Sequence, residues 1–421
     1  MHSTKTAYNR PHLTVLQNRL KEPPMFMIVI AGPRQIGKST LVRTALEEYP
    51  STFVATDQPA ATSIDPFNDP GLATSPEPAA KPTGKWIVEQ WTRARARAGQ
   101  LAPGQHHVLA IDEIQKIPRW SEIVKGLWDE DRANALPMHV VLLGSSPWLM
   151  QKGLSESLAG RYETIHMSHW TYAEMQEAFD LSLDEYIYFG GYPGSAPLMH
   201  NENRWKQYVH GSLIMPSINN DILQMTRVDK PALLKNLFEL GCGGYSGQII
   251  SLTKLIGQLQ DAGNTVTLSH YLELLSQAGL LTGLQKYAGQ EHRKRASSPK
   301  FNAHNTALIS AQGTYTFEQA RNDRSYWGRL VESAVGSHLL NNKPSTTGLY
   351  YWRNGAHEVD YVLSIGDTIL AIEVKSGEEY RSPKGLQVFT NTFPNVRPLI
   401  IGNGGIPLSD FLLHPIETLL S

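Results

Sequence analysis

One stretch of ten residues, AGPRQIGKST (31–40), constrains this chain most. It contains Gly32-x-x-x-x-Gly37-Lys38-Ser39, the spacing of a loop that cradles phosphates. The stretch follows the apolar run MFMIVI (25–30), which reads as a buried strand. It leads into TLVRTALEEY (40–49), where Leu41, Val42, Ala45 and Leu46 recur at helical spacing. In a strand–loop–helix context the pattern has a mechanism. The glycines let successive backbone N–H groups turn inward, and the helix N-terminus adds positive potential. The candidate cradle therefore runs through Gly32, Pro33, Arg34, Gln35, Ile36, Gly37, Lys38, Ser39 and Thr40. Lys38 is placed to reach the β- and γ-phosphates and the Ser39 hydroxyl to ligate Mg²⁺, so the expected cofactors are ATP and Mg²⁺.

A second buried strand, in HHVLAIDEIQ (106–115), ends in the paired acids Asp112 and Glu113. Phosphoryl transfer to water needs a carboxylate that holds the metal and another group that orients the attacking water. Asp112 suits the first task and Glu113 the second. A macrodipole-stabilising helix start would explain one acid but not the delivery of both by a strand. A third strand, in HVVLLGSSPWLM (139–150), ends in Ser145 and Ser146, either of which suits sensing of the γ-phosphate or capping of a helix. In LSESLAGRYETIHM (154–167), Arg161 closes a polar helix. It suits either a reach to a neighbouring subunit's γ-phosphate or a surface ion pair.

This order of motifs resembles AAA+ ATPases. More narrowly, DEIQKIPRW, LLGSS, SLAGR and GGYPGSAP (190–197) resemble a large bacterial and archaeal family that joins an AAA+ module to a C-terminal region of unknown function. The resemblance covers nearly the whole chain and is specific in the first 200 residues. It implies ATPase roles for Lys38, Ser39, Asp112, Glu113 and Ser145, an arginine finger at Arg161, and a ring of six subunits. The departure is a Pro/Ala-rich insert at 57–84, which reads as a solvated loop.

At 421 residues the chain has room for about three or four domains. A hydrophobic content of 41% with 18% charged residues excludes a disordered chain. No apolar run is long enough to span a bilayer, and the N-terminus lacks a secretory layout. The single cysteine, Cys242, flanked by glycines, reads as a small buried side chain and fits a reducing cytoplasm. A net charge of −1 leaves nucleic acid open as a partner, provided its surface is local.

In the middle of the chain a helix ends in the Gly-Pro break of GGYPG, the pattern of a small helical lid. Residues 250–289 then read as helix, turn and helix, with a first strand in LLTGLQKY and a returning strand near 300. That is the order of a winged helix. The hairpin tip gathers Arg293, Lys294 and Arg295, flanked by Lys286 and Lys300. Such a wing suits DNA phosphates, although winged folds also serve protein contacts.

Near the C-terminus, SYWGRLVESAVGSHLL (325–340) is an amphipathic helix carrying Glu332, and residues 349–377 read as three strands. Asn354-Gly355 and Gly366-Asp367 mark the turns. A two-residue turn at 366–367 pairs residue 365 with 368, which brings Asp360 opposite Glu373, roughly 5 Å apart at Cβ, and Glu358 opposite Lys375. Val359, Tyr361, Leu363, Ile372 and Val374 then share the other face. Opposed carboxylates invite a divalent cation between them; an ordinary Glu358–Lys375 ion pair is the plainer alternative. The hairpin resembles the PD-(D/E)xK nuclease superfamily. That resemblance implies Glu332, Asp360, Glu373 and Lys375 as its metal and catalytic set, or a fold kept only for binding.

The expectation is an α/β multidomain chain in four parts. A P-loop AAA+ parallel-sheet core (1–175) precedes a helical lid (176–228), a winged-helix domain (229–302) and a nuclease-like α/β domain (303–421). Its expected work is ATP-driven action on duplex or branched DNA. A nucleotide-operated switch that holds proteins is the alternative.

Overall fold

The computed structural model describes residues 8–56, 82–145, 154, 157–223, 228–259, 263–288, 297–377 and 384–419. The chain groups into two compact units. The first comprises Asn9–Pro33 and Gly37–Met167; the second is built mainly from Ser168–Ser421, with the short piece Arg34–Ile36. Most of the Pro/Ala-rich insert lies outside the described residues.

The first unit begins with α1 (His12–Lys21), β1 (Met27–Ala31), α2 (Lys38–Leu46), β2 (Ser51–Ala55) and α3 (Gly84–Ala98). It continues with β3 (His107–Asp112), α4 (Trp120–Ala133), β4 (Met138–Gly144) and β5 (Tyr162–His166). The strands form a five-stranded sheet in the order β2-β3-β4-β1-β5, with every pairing parallel. β1, β3 and β4 are buried at every position, as strands covered on both faces are; hence their unbroken apolar sequences. On one face, Met27, Val29, Leu109, Ile111, Val140 and Leu142 pack against Ile87, Trp91 and Ala94 of α3 and Trp120, Val124 and Trp128 of α4. The registers Ala31↔Gly144 and Ile111↔Leu142 bring the carboxyl ends of β1, β3 and β4 to one edge of the sheet. In open parallel sheets that edge is where ligands bind.

The second unit starts with α5 (Tyr172–Phe179), α6 (Leu183–Phe189), α7 (Glu202–Tyr208) and α8 (Pro231–Glu239), the last two separated in part by π-helical turns. Thr171 with Glu174 and Ser182 with Glu185 form capping boxes at the starts of α5 and α6. Between α6 and α7, Gly190 and Gly191 are required by close approach. An added Cβ would lie 2.0 Å from Asn305 Oδ1 at the first and 2.1 Å from the Trp170 carbonyl at the second.

Next come α9 (Leu252–Ile256), α10 (Thr265–Gln277), β6 (Leu281–Lys286) and β7 (Lys300–Ala303), so helix, turn, helix and antiparallel hairpin follow in the expected order. After them are α11 (Ala307–Ser310), α12 (Phe317–Asn322), α13 (Arg324–Asn342), β8 (Gly348–Asn354), β9 (His357–Ile365), β10 (Thr368–Lys375), α14 (Lys384–Thr392), β11 (Val396–Gly402) and α15 (Leu408–Leu413). The strands make one six-stranded sheet in the order β11-β10-β9-β8-β6-β7. The expected boundary at 302/303 therefore falls inside a sheet. The β6–β7 hairpin is joined to the C-terminal strands through parallel pairing of β6 with β8.

The strands β8, β9 and β10 and the turn at Gly366-Asp367 match the sequence reading, including the register Thr368↔Ile365 through Ile372↔Tyr361. The first turn lies one residue on, at Gly355-Ala356, because Asn354 pairs with His357. The face assignment does not match. The β8–β9 register shifts between Tyr350↔Val362 and Trp352↔Val359, so β9 carries a bulge at 360–361. Val359 consequently packs with Val362, Ala371 and Phe389 in a small cluster beneath α14. The Tyr361 hydroxyl instead donates to the Glu332 carbonyl of α13 at 2.8 Å.

Candidate functional site

Gly37 takes a left-handed conformation (φ 90, ψ 23) at the N-cap of α2, which an L side chain adopts only with strain. It turns the chain so that α2 opens at Lys38, where the N–H groups of the first helical turn have no acceptor within the helix. The Lys38 ammonium donates to the carbonyls of Gly32 (2.9 Å) and Pro33 (2.6 Å), holding the loop's own backbone. Residues 34–36 group with the second unit. There Arg34 makes a two-point ion pair with the buried Asp221, at 2.5 and 2.6 Å, and the Ile36 carbonyl accepts from Trp170 Nε1 at 2.9 Å. Gln35 (φ 60) and Thr40 are exposed.

At the adjoining strand ends, Ser39 Oγ donates to Asp112 Oδ2 at 2.5 Å. This joins the two groups expected to hold Mg²⁺; a hydroxyl and a carboxylate at one point are the hard oxygen ligands that ion takes. The chain turns sharply at Glu113 (φ 55, ψ 35). Glu113 Oε2 accepts from Ser145 Oγ (3.0 Å) and Gln115 Nε2 (3.0 Å) and pairs with Lys116 Nζ (3.4 Å). Thr56 anchors the same turn: its N–H donates to the Asp112 carbonyl and its hydroxyl to the Glu113 carbonyl. The structure thus brings Ser39 to Asp112 and Ser145 to Glu113, with Lys38 next to Ser39 on its own loop, and Ser146 lies outside the described residues. Thr56, Gln115 and Lys116 escaped the sequence reading. Only their places two and three residues after Glu113 could have suggested Gln115 and Lys116, and nothing marks Thr56.

Arg161 stands before β5, its guanidinium paired with Asp129 of α4 at 2.7 and 3.0 Å. Both side chains are partly exposed, and this contact lowers the Asp129 carboxyl.

The expected nucleic-acid cations fare differently. Arg293, Lys294 and Arg295 lie outside the described residues, and Lys286 is half-buried at the end of β6. Lys300 is a correction: it is 0% exposed and cannot contact DNA phosphates from there. Its ammonium lies 2.5 Å from Glu332 Oε1, 3.3 Å from Asp360 Oδ1, 3.7 Å from Glu358 Oε1 and 4.9 Å above the Tyr361 ring. Burial alone would lower this amine, but Glu332 and Asp360 outweigh it and hold it well above the usual lysine range.

The expected Asp360–Glu373 metal pair needs the same revision. The registered ladder stops at Ile372↔Tyr361, and the next β10 amide available, Val374 N–H, donates to Asp360 Oδ2 at 2.9 Å. Glu373 Oε1 accepts from Lys375 Nζ at 2.5 Å; Lys375 therefore does not pair with Glu358 as the register alone suggests. Burial pushes Glu332 up to about 7 against the pull of Lys300. Burial and then the Asp360 charge push Glu373 up to about 7 as well. Among the described residues, no group of three or more acidic, histidine or cysteine side chains is arranged to hold a metal ion.

Cys242 is buried. No helix among the described residues is long and apolar enough to cross a membrane.

Comparison with known proteins follows the same division. Residues 25–176 match the model of an AAA domain, and residues 180–317 and 327–409 match two domains of unknown function. An uncharacterized protein of Mycobacterium tuberculosis is 26% identical over 370 residues, 86% of this chain and 72% of its own. Among solved structures, a Walker-type ATPase of Pyrococcus abyssi matches 73% of this chain and 97% of its own, at 16% identity and a TM-score of 0.49. RuvB of Thermotoga maritima matches 65% of this chain and 87% of its own, at 17% identity and a TM-score of 0.31. The chain thus carries an AAA domain of the AAA+ ATPase family, followed by two domains of unknown function.

Proposed function

We propose that the first unit hydrolyses ATP and that turnover drives work on DNA, duplex or branched, through the segment from α9 to β7. The observation that carries hydrolysis is the pair of side-chain bonds at the strand ends, Ser39 to Asp112 and Glu113 to Ser145. Lys38 exchanges its bonds to the loop carbonyls for phosphate oxygens. Glu113 orients the attacking water and takes up its proton, and Ser145 keeps that carboxylate aimed. Ser39 and Asp112 would hold Mg²⁺, which neutralises charge on the β- and γ-phosphate oxygens when bound. Arg161 serves the site of a neighbouring copy in a ring of six subunits.

The DNA reading is supported by the helix–turn–helix–hairpin order and by Arg293, Lys294 and Arg295 between β6 and β7. A second reading, a nucleotide-operated switch that holds a protein, is favoured by the burial of Lys300 and by the place of β6 inside the sheet. ATP turnover measured with single-stranded, duplex and four-way DNA separates the two. On the first reading DNA stimulates turnover. Reversing Arg293, Lys294 and Arg295 to glutamate then weakens binding to all sequences alike and lowers the salt slope by about one per lost phosphate contact. Turnover indifferent to every DNA, with affinity unchanged in the triple variant, establishes the protein reading instead.

A further inference from the structure

Four carboxylates, Glu332 on α13, Glu358 and Asp360 on β9 and Glu373 on β10, gather at one place in the second unit with two lysines, Lys300 and Lys375. Of the two, Lys300 has no solvent exposure, and it enters from a third direction, as the first residue of β7. A lysine ammonium offers three N–H donors. Here it donates to the Asp360 carbonyl (3.2 Å) and Asp360 Oδ1 (3.3 Å) and forms an ion pair with Glu332 Oε1 at 2.5 Å. The Tyr361 ring lies beneath at 4.9 Å, within cation–π reach. Two of these spacings are those of N–H···O contacts and exceed the 2.0–2.6 Å at which oxygen binds Mg²⁺ or Ca²⁺.

Both members of the pair that the hairpin offers to a metal already have a cationic partner. Asp360 has Lys300, and its second oxygen accepts from Val374 N–H. Glu373 has Lys375 on one oxygen, while its other oxygen is buried without a hydrogen-bond partner in the described structure. A divalent ion between Glu332 and Asp360 would have to share that space with a buried ammonium that has no solvent to retreat into.

We propose that the Lys300 ammonium is a tethered cation standing in the position a divalent metal would take between Glu332 and Asp360. The cluster then holds no Mg²⁺ or Mn²⁺, and metal-dependent cleavage is not an activity of this hairpin. Lys300 instead ties β7, α13 and β9 together, and shortening it turns the cluster into a metal site. This goes beyond the ATPase reading and does not depend on it.

Mn²⁺ binding to the nucleotide-free full chain, followed by the electron paramagnetic resonance signal of the free ion, tests the proposal. Asp112→Asn is carried in every sample to silence the phosphate-loop site. With Lys300 intact, Asp360→Asn should change nothing, because no Mn²⁺ is bound at Asp360. Lys300→Ala should gain one Mn²⁺ per chain, lost again in Lys300→Ala/Asp360→Asn. If Lys300→Ala does not fold alone, its recovery of helical circular dichroism on adding Mn²⁺, but not with Asp360→Asn present, is the same result in another form. Lys300→Arg keeps the charge and should bind none. The proposal is overturned if the chain with Lys300 intact binds Mn²⁺ at a site that Asp360→Asn removes. It is equally overturned if Lys300→Ala neither gains an ion nor is refolded by one.

Discussion

Glu113 adopts φ 55 and ψ 35, a left-handed conformation that is uncommon outside glycine, asparagine and aspartate. Strain of that kind persists only where its surroundings over-determine it. Here Thr56 grips the backbone while Ser145, Gln115 and Lys116 converge on one carboxylate oxygen. Glu113→Gln keeps the shape of the side chain and removes its charge. Nucleotide binding should survive with Asp112 intact, while turnover falls by about 10²–10⁴-fold, the usual worth of a positioned base; turnover at the parent rate would remove Glu113 from its role. Lys38→Ala should instead abolish tight ATP binding, seen directly by titration with a fluorescent nucleotide. The acid pair was legible because a strand delivered it. Thr56, Gln115 and Lys116 were not, since they come from the end of β2 and from the turn itself.

At the scale of the element, β4 carries a buried polar group that the site does not use. His139 is 1% exposed on a strand buried at every position, with the His106 ring edge-on at 5.3 Å. Burial, with His106 nearby, pushes its pKa down from 6.5 to about 4. The unfolded chain therefore takes up a proton near 6.5 that the folded chain refuses until about 4. Stability from this group is complete above pH 6.5 and is lost as pH falls towards 4, by at most on the order of 3 kcal/mol. His139→Leu should flatten that loss, read as the difference in melting temperature between pH 7.5 and pH 5. The β9–β10 hairpin teaches the complementary lesson. Turn chemistry specified its register to the residue, but the bulge at 360–361 moved Tyr361 to the side of α13. A bulge is chosen by what packs on each face, and pairing arithmetic carries no such term.

For the molecule as a whole, subunit cooperation is the property most exposed to test. Arg161 rests on Asp129 in the isolated chain, and an exposed pair of this kind is easily exchanged for another partner. On the ring reading, Arg161→Ala binds ATP but loses turnover by about 10³–10⁵-fold. Mixing it with Lys38→Ala subunits, which keep the arginine, should then restore part of the activity. Full turnover by a monomer at high dilution would end that reading.

The sequence by itself determined the phosphate-loop core, because its evidence is local. A glycine loop, a strand ending in two acids and a strand ending in serine each carry their geometry within about ten residues, and buried parallel strands announce themselves as apolar runs. Part of the order of elements in the second unit was legible for the same reason, namely the run from α9 to β7, α13 and the strands β8 to β10, whereas α11, α12, α14, β11 and α15 were not. Only the tertiary structure decided how those elements share a sheet and where Lys300 goes. Read along the chain, Lys300 is one more cation beside a basic run. Its burial comes from carboxylates 32, 58 and 60 positions further on, at Glu332, Glu358 and Asp360. A charge takes its role from what surrounds it in space, and that information is absent until β7, α13 and β9 have met.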